Sequence, residues 1–269
     1  PASAMITLYD FDSKLPGRGM SPFVWRVRFT LNIKGLPYKT EWLNFANLEE
    51  QLKERNVSPS KVVPEGDGFS SFYSVPAIHD PSTNTVLEDS HKIIKYLDET
   101  YPDTPRLTTH PATLTDDDDL VKPAFEPNWH LPLSLMFHGI WGLAVPSVVA
   151  HSMDEAGAVQ YREKFELKTG VRFESVLGED KKQELLEKGR QNFSEVDAQL
   201  RKIREKYGGD GPWMFGKDAK LPDLAIAGSL AWLVSIKGEE SDLWKEVRTW
   251  DEGRWAKIWD EIKPYYKLF

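Results

Sequence analysis

Residues 21–35 read SPFVWRVRFTLNIKG, and the fold class follows from this stretch. Ser21 can cap a helix through its side-chain oxygen. Pro22 suits the first helical position, where its missing N–H would have no partner anyway. Val24, Val27 and Leu31 recur at the spacing of one helix face. Gly35 is placed to end the helix in the left-handed conformation that glycine takes without penalty. Upstream, MITLYDF (5–11) reads as a strand. Downstream, YKTEWLNF (38–45) reads as a second. Strand, helix, strand in that order implies a parallel pair joined by a right-handed crossover.

The polar stretch 47–61 is expected to be partly helical. Residues 62–74, VVPEGDGFSSFYS, read as an irregular loop, long enough to suggest a functional role. VPAIH (75–79) and NTVLE (84–88) form a hairpin around DPSTN. Ser90 opens a helix with Ile93, Ile94, Leu97 and Tyr101 turned inward. Prolines and threonines then mark 102–114 as a linker. Beyond it, Phe193, Val196, Leu200 and Ile203 lie on one helix face, which Gly208-Gly209-Asp210-Gly211-Pro212 terminates. Leu224–Leu233 is almost uniformly apolar, so it belongs at a domain centre. Trp244, Trp250, Trp255 and Trp259 read as core packing. The expected architecture is an α/β domain over 5–103 followed by an all-α domain over 114–269.

Composition narrows the function. The 269 residues carry a net charge of −8, with 40% hydrophobic and 28% charged residues. That balance suits a soluble globular protein. Nucleic-acid binding needs a basic face, so an acidic chain argues against it. No apolar run reaches the ~18 residues of a membrane span. The chain passes almost at once into MITLYDF, so no signal peptide is expected, and the absence of disulfide-forming residues suits a reducing, cytoplasmic setting. Cysteine is absent, so any thiol chemistry must use a thiol brought by a substrate.

Three features carry the chemistry. Ser21-Pro22 opens a helix whose free N–H groups and positive dipole end favour an anion such as a thiolate. A free thiol titrates at about 8.5. Lowering that by ~2 pH units requires roughly 2.7 kcal/mol of preference for the anion. A serine hydroxyl donating to sulfur, together with the helix end, is a plausible source. A plain structural cap is the competing reading. Val75-Pro76-Ala77-Ile78 is the second feature. With Pro76 in the cis form, Val75 could pair its backbone with a peptide ligand as an added strand. Asp89-Ser90 is the third. Ser90 and the helix start could bind a carboxylate while Asp89 pairs with an ammonium. Here too a simple cap competes.

Taken in order, the Ser-Pro-Phe helix start, Val-Pro-Ala-Ile, and LEDSHKIIKYLDETYP resemble the glutathione transferase family. SPFVWRVRFTLNIKG and, more loosely, YREKFELKTG are similar to its bacterial lignin β-etherase branch and its fungal-specific class A. The resemblance implies a thioredoxin-like N-terminal domain followed by an all-helical one. It implies glutathione as co-substrate, with Ser21 activating the thiol, Val75 and Pro76 pairing with the cysteinyl backbone, and Asp89 and Ser90 binding the γ-glutamyl end. It also implies a homodimer and a role in detoxifying xenobiotic or wood-derived aromatics. One departure stands out. The family places a Ser or Thr three residues before an aspartate that caps a central helix, but here the match is Lys220-Leu221-Pro222-Asp223. Losing a cap costs about 1 kcal/mol, which bears on stability more than chemistry.

The acceptor, a hydrophobic aromatic small molecule, is expected between the domains. Phe23, Trp129, His130, Phe137 and Trp141 are candidate lining residues. Lys61 is a candidate for the glycine carboxylate of glutathione. Tyr9, at the end of the first strand, is the alternative thiol activator. Asp89-Ser90-His91 is not a hydrolase triad, because sequence neighbours do not face one another. The histidines contain no i,i+4 pair and have no cysteine partner, so no metal is expected. Asp116–Asp119 reads as a solvated helix start. The rival function is a ligandin-type carrier that holds aromatics with little or no catalysis, and a scaffold without chemistry comes third.

Overall fold

The computed structural model describes residues 5–65, 68–108, 121–126, 140–151, 153–176 and 181–269. Its first half is built on four strands: β1 (Ile6–Phe11), β2 (Tyr38–Leu43), β5 (Ala77–Asp80) and β6 (Thr85–Glu88). Their order is β2-β1-β5-β6, with β1 and β2 parallel and the other pairs antiparallel. Leu8 is the hinge of the register, facing Thr40 on one side and Ile78 on the other. Helix α1 (Pro22–Lys34) makes the crossover between β1 and β2, α2 (Leu48–Glu54) follows, and α3 (Ser90–Thr100) closes the unit.

Residues 62–74 are largely not a loop, and this corrects the sequence reading. Strands β3 (Lys61–Glu65) and β4 (Gly68–Phe72) pair antiparallel, with Val63 opposite Ser70. Pro64 and the nearby glycines argued against a strand. Proline is nevertheless tolerated here, because a two-stranded ribbon has only edges and a missing N–H costs no central ladder bond.

The second half is helical: α4 (Ile140–His151), α5 (Glu155–Thr169), α6 (Lys182–Tyr207), α7 (Leu221–Lys237), α8 (Asp242–Val247) and α9 (Trp250–Ile262). Helix α9 opens with a left-handed turn at Asp251, Glu252 and Gly253. As its composition requires, α7 is buried along nearly its whole length. The α6 face of Phe193, Val196, Leu200 and Ile203 is buried in the same core, with Phe193 edge-on to Trp250 and Trp255. Trp244, Trp250, Trp255 and Trp259 are all buried there too.

Helix α1 serves both cores. Val24, Val27 and Leu31 pack under the sheet, while Trp25 and Phe29 enter the helical core. Its close approach to α7 depends on Gly228. A Cβ at that position would stand 2.5 Å from the Pro22 carbonyl oxygen. Farther along, Lys34 is ion-paired at 2.8 Å with buried Asp98. Asp98 also accepts the Leu107 and Thr108 N–H groups, which fixes the chain as it leaves α3. The C-terminal residues return to the first half. Asn32 donates to the Tyr265 carbonyl, Tyr38 to that of Lys267, and the Thr40 N–H to that of Phe269.

Asp223 does the capping at α7 without help from a hydroxyl at position 220. One carboxylate oxygen accepts the Lys220 N–H and the other the Met214 N–H, both at 2.8 Å. Burial pushes this carboxyl up to about 7, against the pull of those two hydrogen bonds.

Candidate functional site

Ser21 is the N-cap of α1, in extended backbone, and its Oγ accepts the Val24 N–H at 3.3 Å. The serine is nearly buried but lines a cavity of about 480 Å³. The Val75–Pro76 bond is cis, and both residues form part of the same wall. The Val75 N–H and C=O make no hydrogen bond among the described residues. The Pro76 carbonyl accepts the Asp89 N–H at 3.3 Å, which ties the second feature to the third.

Asp89 caps α3 with a left-handed φ of 75°, which is uncommon for a residue with a Cβ. Its Oδ1 accepts the His91 and Lys92 N–H groups at 2.9 and 3.1 Å. Oδ2 has no partner among the described residues. Ser90 follows as the first residue of the helix, and both residues line the cavity. Three segments distant in sequence thus face one space. It contains two helix N-termini, an unpaired backbone edge, a hydroxyl and a carboxylate. Such a surface suits an extended peptide-like molecule with an anionic end, because free N–H groups and the dipole favour negative charge.

Phe23 and Trp141 also line this cavity. Trp129, His130, Phe137 and Asp116–Asp119 lie outside the described residues. Lys61 stands exposed on β3 and is not part of the lining. Tyr9 is buried beneath the sheet and does not line the cavity either. Burial and the Glu41 carboxylate raise its phenol, which makes it a poorer source of phenolate.

The opposite wall contains residues that the sequence did not single out. Phe11 and Phe45 meet edge to face at 5.5 Å, and Tyr161 lies 6.2 Å from Phe45. Trp141 stacks on Phe165 at 4.9 Å. Burial pushes the Tyr161 phenol up to about 12, so it stays neutral and can donate a proton in a hydrogen bond. Lys164 stands over the Phe45 ring at 5.4 Å. Beneath Phe23 lies the guanidinium of Arg26, 4.8 Å from the ring. Its Nε and one terminal nitrogen are buried without a hydrogen-bond partner. Burial lowers its pKa to about 10, while the Asp89 charge pulls the other way. An arginine beside a second one, Arg28, in the same helix carries no sequence signal of such a setting.

A larger cleft, about 830 Å³, lies on the helical half between Arg201, Arg254, Lys257, Asp260 and Glu261. Its charges offset one another. It contains none of the three features and no aromatic wall, so the smaller cavity is the candidate site. Among the described residues there is no cluster of histidines and carboxylates fit to hold a metal, and no helix long and apolar enough to cross a membrane.

Comparison with known proteins places the chain in a family. Residues 20–100 match the model of the glutathione S-transferase N-terminal domain, and residues 129–265 that of the C-terminal domain. The chain is 29% identical to a glutathione S-transferase of Ceriporiopsis subvermispora whose crystal structure is a complex with glutathione. That match covers 98% of this chain and 99% of the other, with a TM-score of 0.80. Glutathione transferase GSTFuA2 of Phanerochaete chrysosporium is 31% identical, with the same coverage and a TM-score of 0.77. The glutathione S-transferase-like protein ustS of Aspergillus flavus is 24% identical over 93% of this chain and 87% of its own length.

Proposed function

Because this chain belongs to the glutathione S-transferase family, we propose that it is a serine-type transferase in which Ser21 poises the thiol of glutathione. The observation that carries this reading is the convergence of Ser21, Val75 and Asp89-Ser90 on one cavity. The γ-glutamyl carboxylate meets Ser90 and the α3 N-terminus, and its ammonium meets the free Oδ2 of Asp89. The cysteinyl backbone pairs with the open N–H and C=O of Val75. The sulfur then lies at the α1 N-terminus. There the Ser21 hydroxyl donates to it while the same oxygen still accepts from Val24.

The thiolate attacks an electrophilic carbon of the acceptor. A carbon–sulfur bond forms, the leaving group departs with the bonding pair, and it takes up the proton that the thiol released. With an aromatic ether the leaving group is an aryloxide. The aromatic wall around Trp141, Phe11 and Phe45 supports an acceptor of that kind, and the resemblance of SPFVWRVRFTLNIKG to the lignin β-etherase branch extends the proposal to wood-derived compounds. A homodimer, as elsewhere in the family, is part of the proposal.

Turnover of electrophiles with glutathione tests it. Ser21→Ala is expected to lower kcat/KM by about 10- to 100-fold, the value of one hydrogen bond to a charged group. Ser21→Asp keeps a capping oxygen and should fold normally, yet its ionised carboxylate has no proton to give the sulfur and should be at least as slow. Tyr9→Phe should leave turnover nearly intact. Full turnover in Ser21→Asp, or its loss in Tyr9→Phe, overturns the assignment. Glutathione and aromatic binding without turnover in the wild type would make the protein a carrier instead.

A further inference from the structure

The cavity is electrically lopsided. Among the described residues that line it, Asp89 is the one anion and Lys164 the one cation. They belong to different walls, Asp89 beside Ser90 and Lys164 on α5. Lys164 makes no ion pair with any described residue, and its ammonium stands 5.4 Å above the Phe45 ring. Tyr161 lies three residues earlier on the same helix, so the two side chains emerge on one face. The α5 face is fixed against the first half. Gln160 donates to the Ala46 carbonyl at 3.0 Å, and Asn44 donates to Asp154, the cap of α5, at 2.9 Å.

We propose that Lys164 anchors a carboxylate on the acceptor, so that the compounds this protein takes are aromatic carboxylates. The proposal rests on the preceding assignment of the thiol to Ser21. A planar ring fits against Phe45, Trp141 and Tyr161, where edge and face contacts are favourable. Its acid group then reaches the ammonium, with the Tyr161 hydroxyl as a neutral second donor. Lys164 alone thus orients the molecule with its acid at α5 and its remaining atoms toward Ser21, since Asp89 is paired with the glutathione ammonium. A neutral aromatic would fill the same space without a preferred direction. The other carboxylate that could reach Lys164 is the glycine end of glutathione, so the test must separate the two sources.

The full chain is titrated with 2-naphthoate and with its neutral amide, followed by tryptophan fluorescence, with and without saturating glutathione. Wild type is expected to bind the acid about 2- to 5-fold more tightly than the amide, a preference that shrinks as salt is raised. Lys164→Met should abolish the preference and leave amide affinity unchanged, while Lys164→Arg should retain it. Glutathione affinity should be the same in all three proteins. No acid preference in wild type, or an undiminished one in Lys164→Met, overturns the proposal. A loss of glutathione affinity in Lys164→Met with acid preference kept assigns the ammonium to the glycine carboxylate and also overturns it. These titrations need no turnover. An inactive protein that still prefers the acid would refute the transferase reading alone.

Discussion

Ser21 and Asp223 show how one polar atom is assigned by its surroundings. Ser21 keeps its oxygen on the Val24 N–H and has a proton left to give, so capping and catalysis do not compete. Asp223 has both oxygens engaged by backbone N–H groups, yet burial holds its carboxyl up at about 7. An unfolded aspartate titrates near 3.9. The folded protein therefore binds this proton more tightly, and the stabilisation is complete below about pH 4 and is lost as pH rises through about 7. Asp10 acts in the same direction, pushed up to about 6 by burial despite its Arg28 partner. The urea midpoint should therefore fall across that window. In Asp223→Asn the fall should be shallower. The whole curve should also lie lower, because an amide accepts only one of the two N–H groups. An unchanged slope would contradict the shift.

At the scale of elements, the contact between α1 and α7 governs the site. Gly228 lets the two helices meet beside Pro22, one residue from Ser21. Gly228→Ala would place its methyl group against a backbone carbonyl, which cannot yield as a flexible side chain does. A loss of about 1–3 kcal/mol is expected from denaturant unfolding, with a drop in turnover because the cap itself is displaced. Wild-type stability in this variant would show that α1 moves freely. Most elements were legible in the sequence, since Val24, Val27 and Leu31 give the period of α1 and the uniform apolar run gives α7. The β3–β4 ribbon was not, because Pro64 and the glycines mask strand pairing. Lys164 and Tyr161 were not either. Each is an ordinary residue of a helix with little amphipathic pattern, and only the docking of α5 on residues 44–46 turns them into the cavity. Ser21, Val75 and Asp89-Ser90 were legible because each marks a backbone event, a cap or an X-Pro bond, that leaves a trace in residue type.

At the scale of the whole molecule, the two halves are joined by α1 and by the returning C-terminal residues, where Tyr266 stacks on Trp25 at 4.2 Å. One half offers the two helix starts together with Phe11 and Phe45, the other Trp141 and Tyr161, and the reaction we propose belongs to the space they enclose. The thiol of glutathione bound in that space is therefore the quantity to measure. Ultraviolet titration of the thiolate in the complex should show it ionising ~2 pH units below the free value of about 8.5, and Ser21→Ala should return it most of the way. A bound thiol that titrates like the free one, or one unmoved by Ser21→Ala, would contradict the role of the α1 N-terminus.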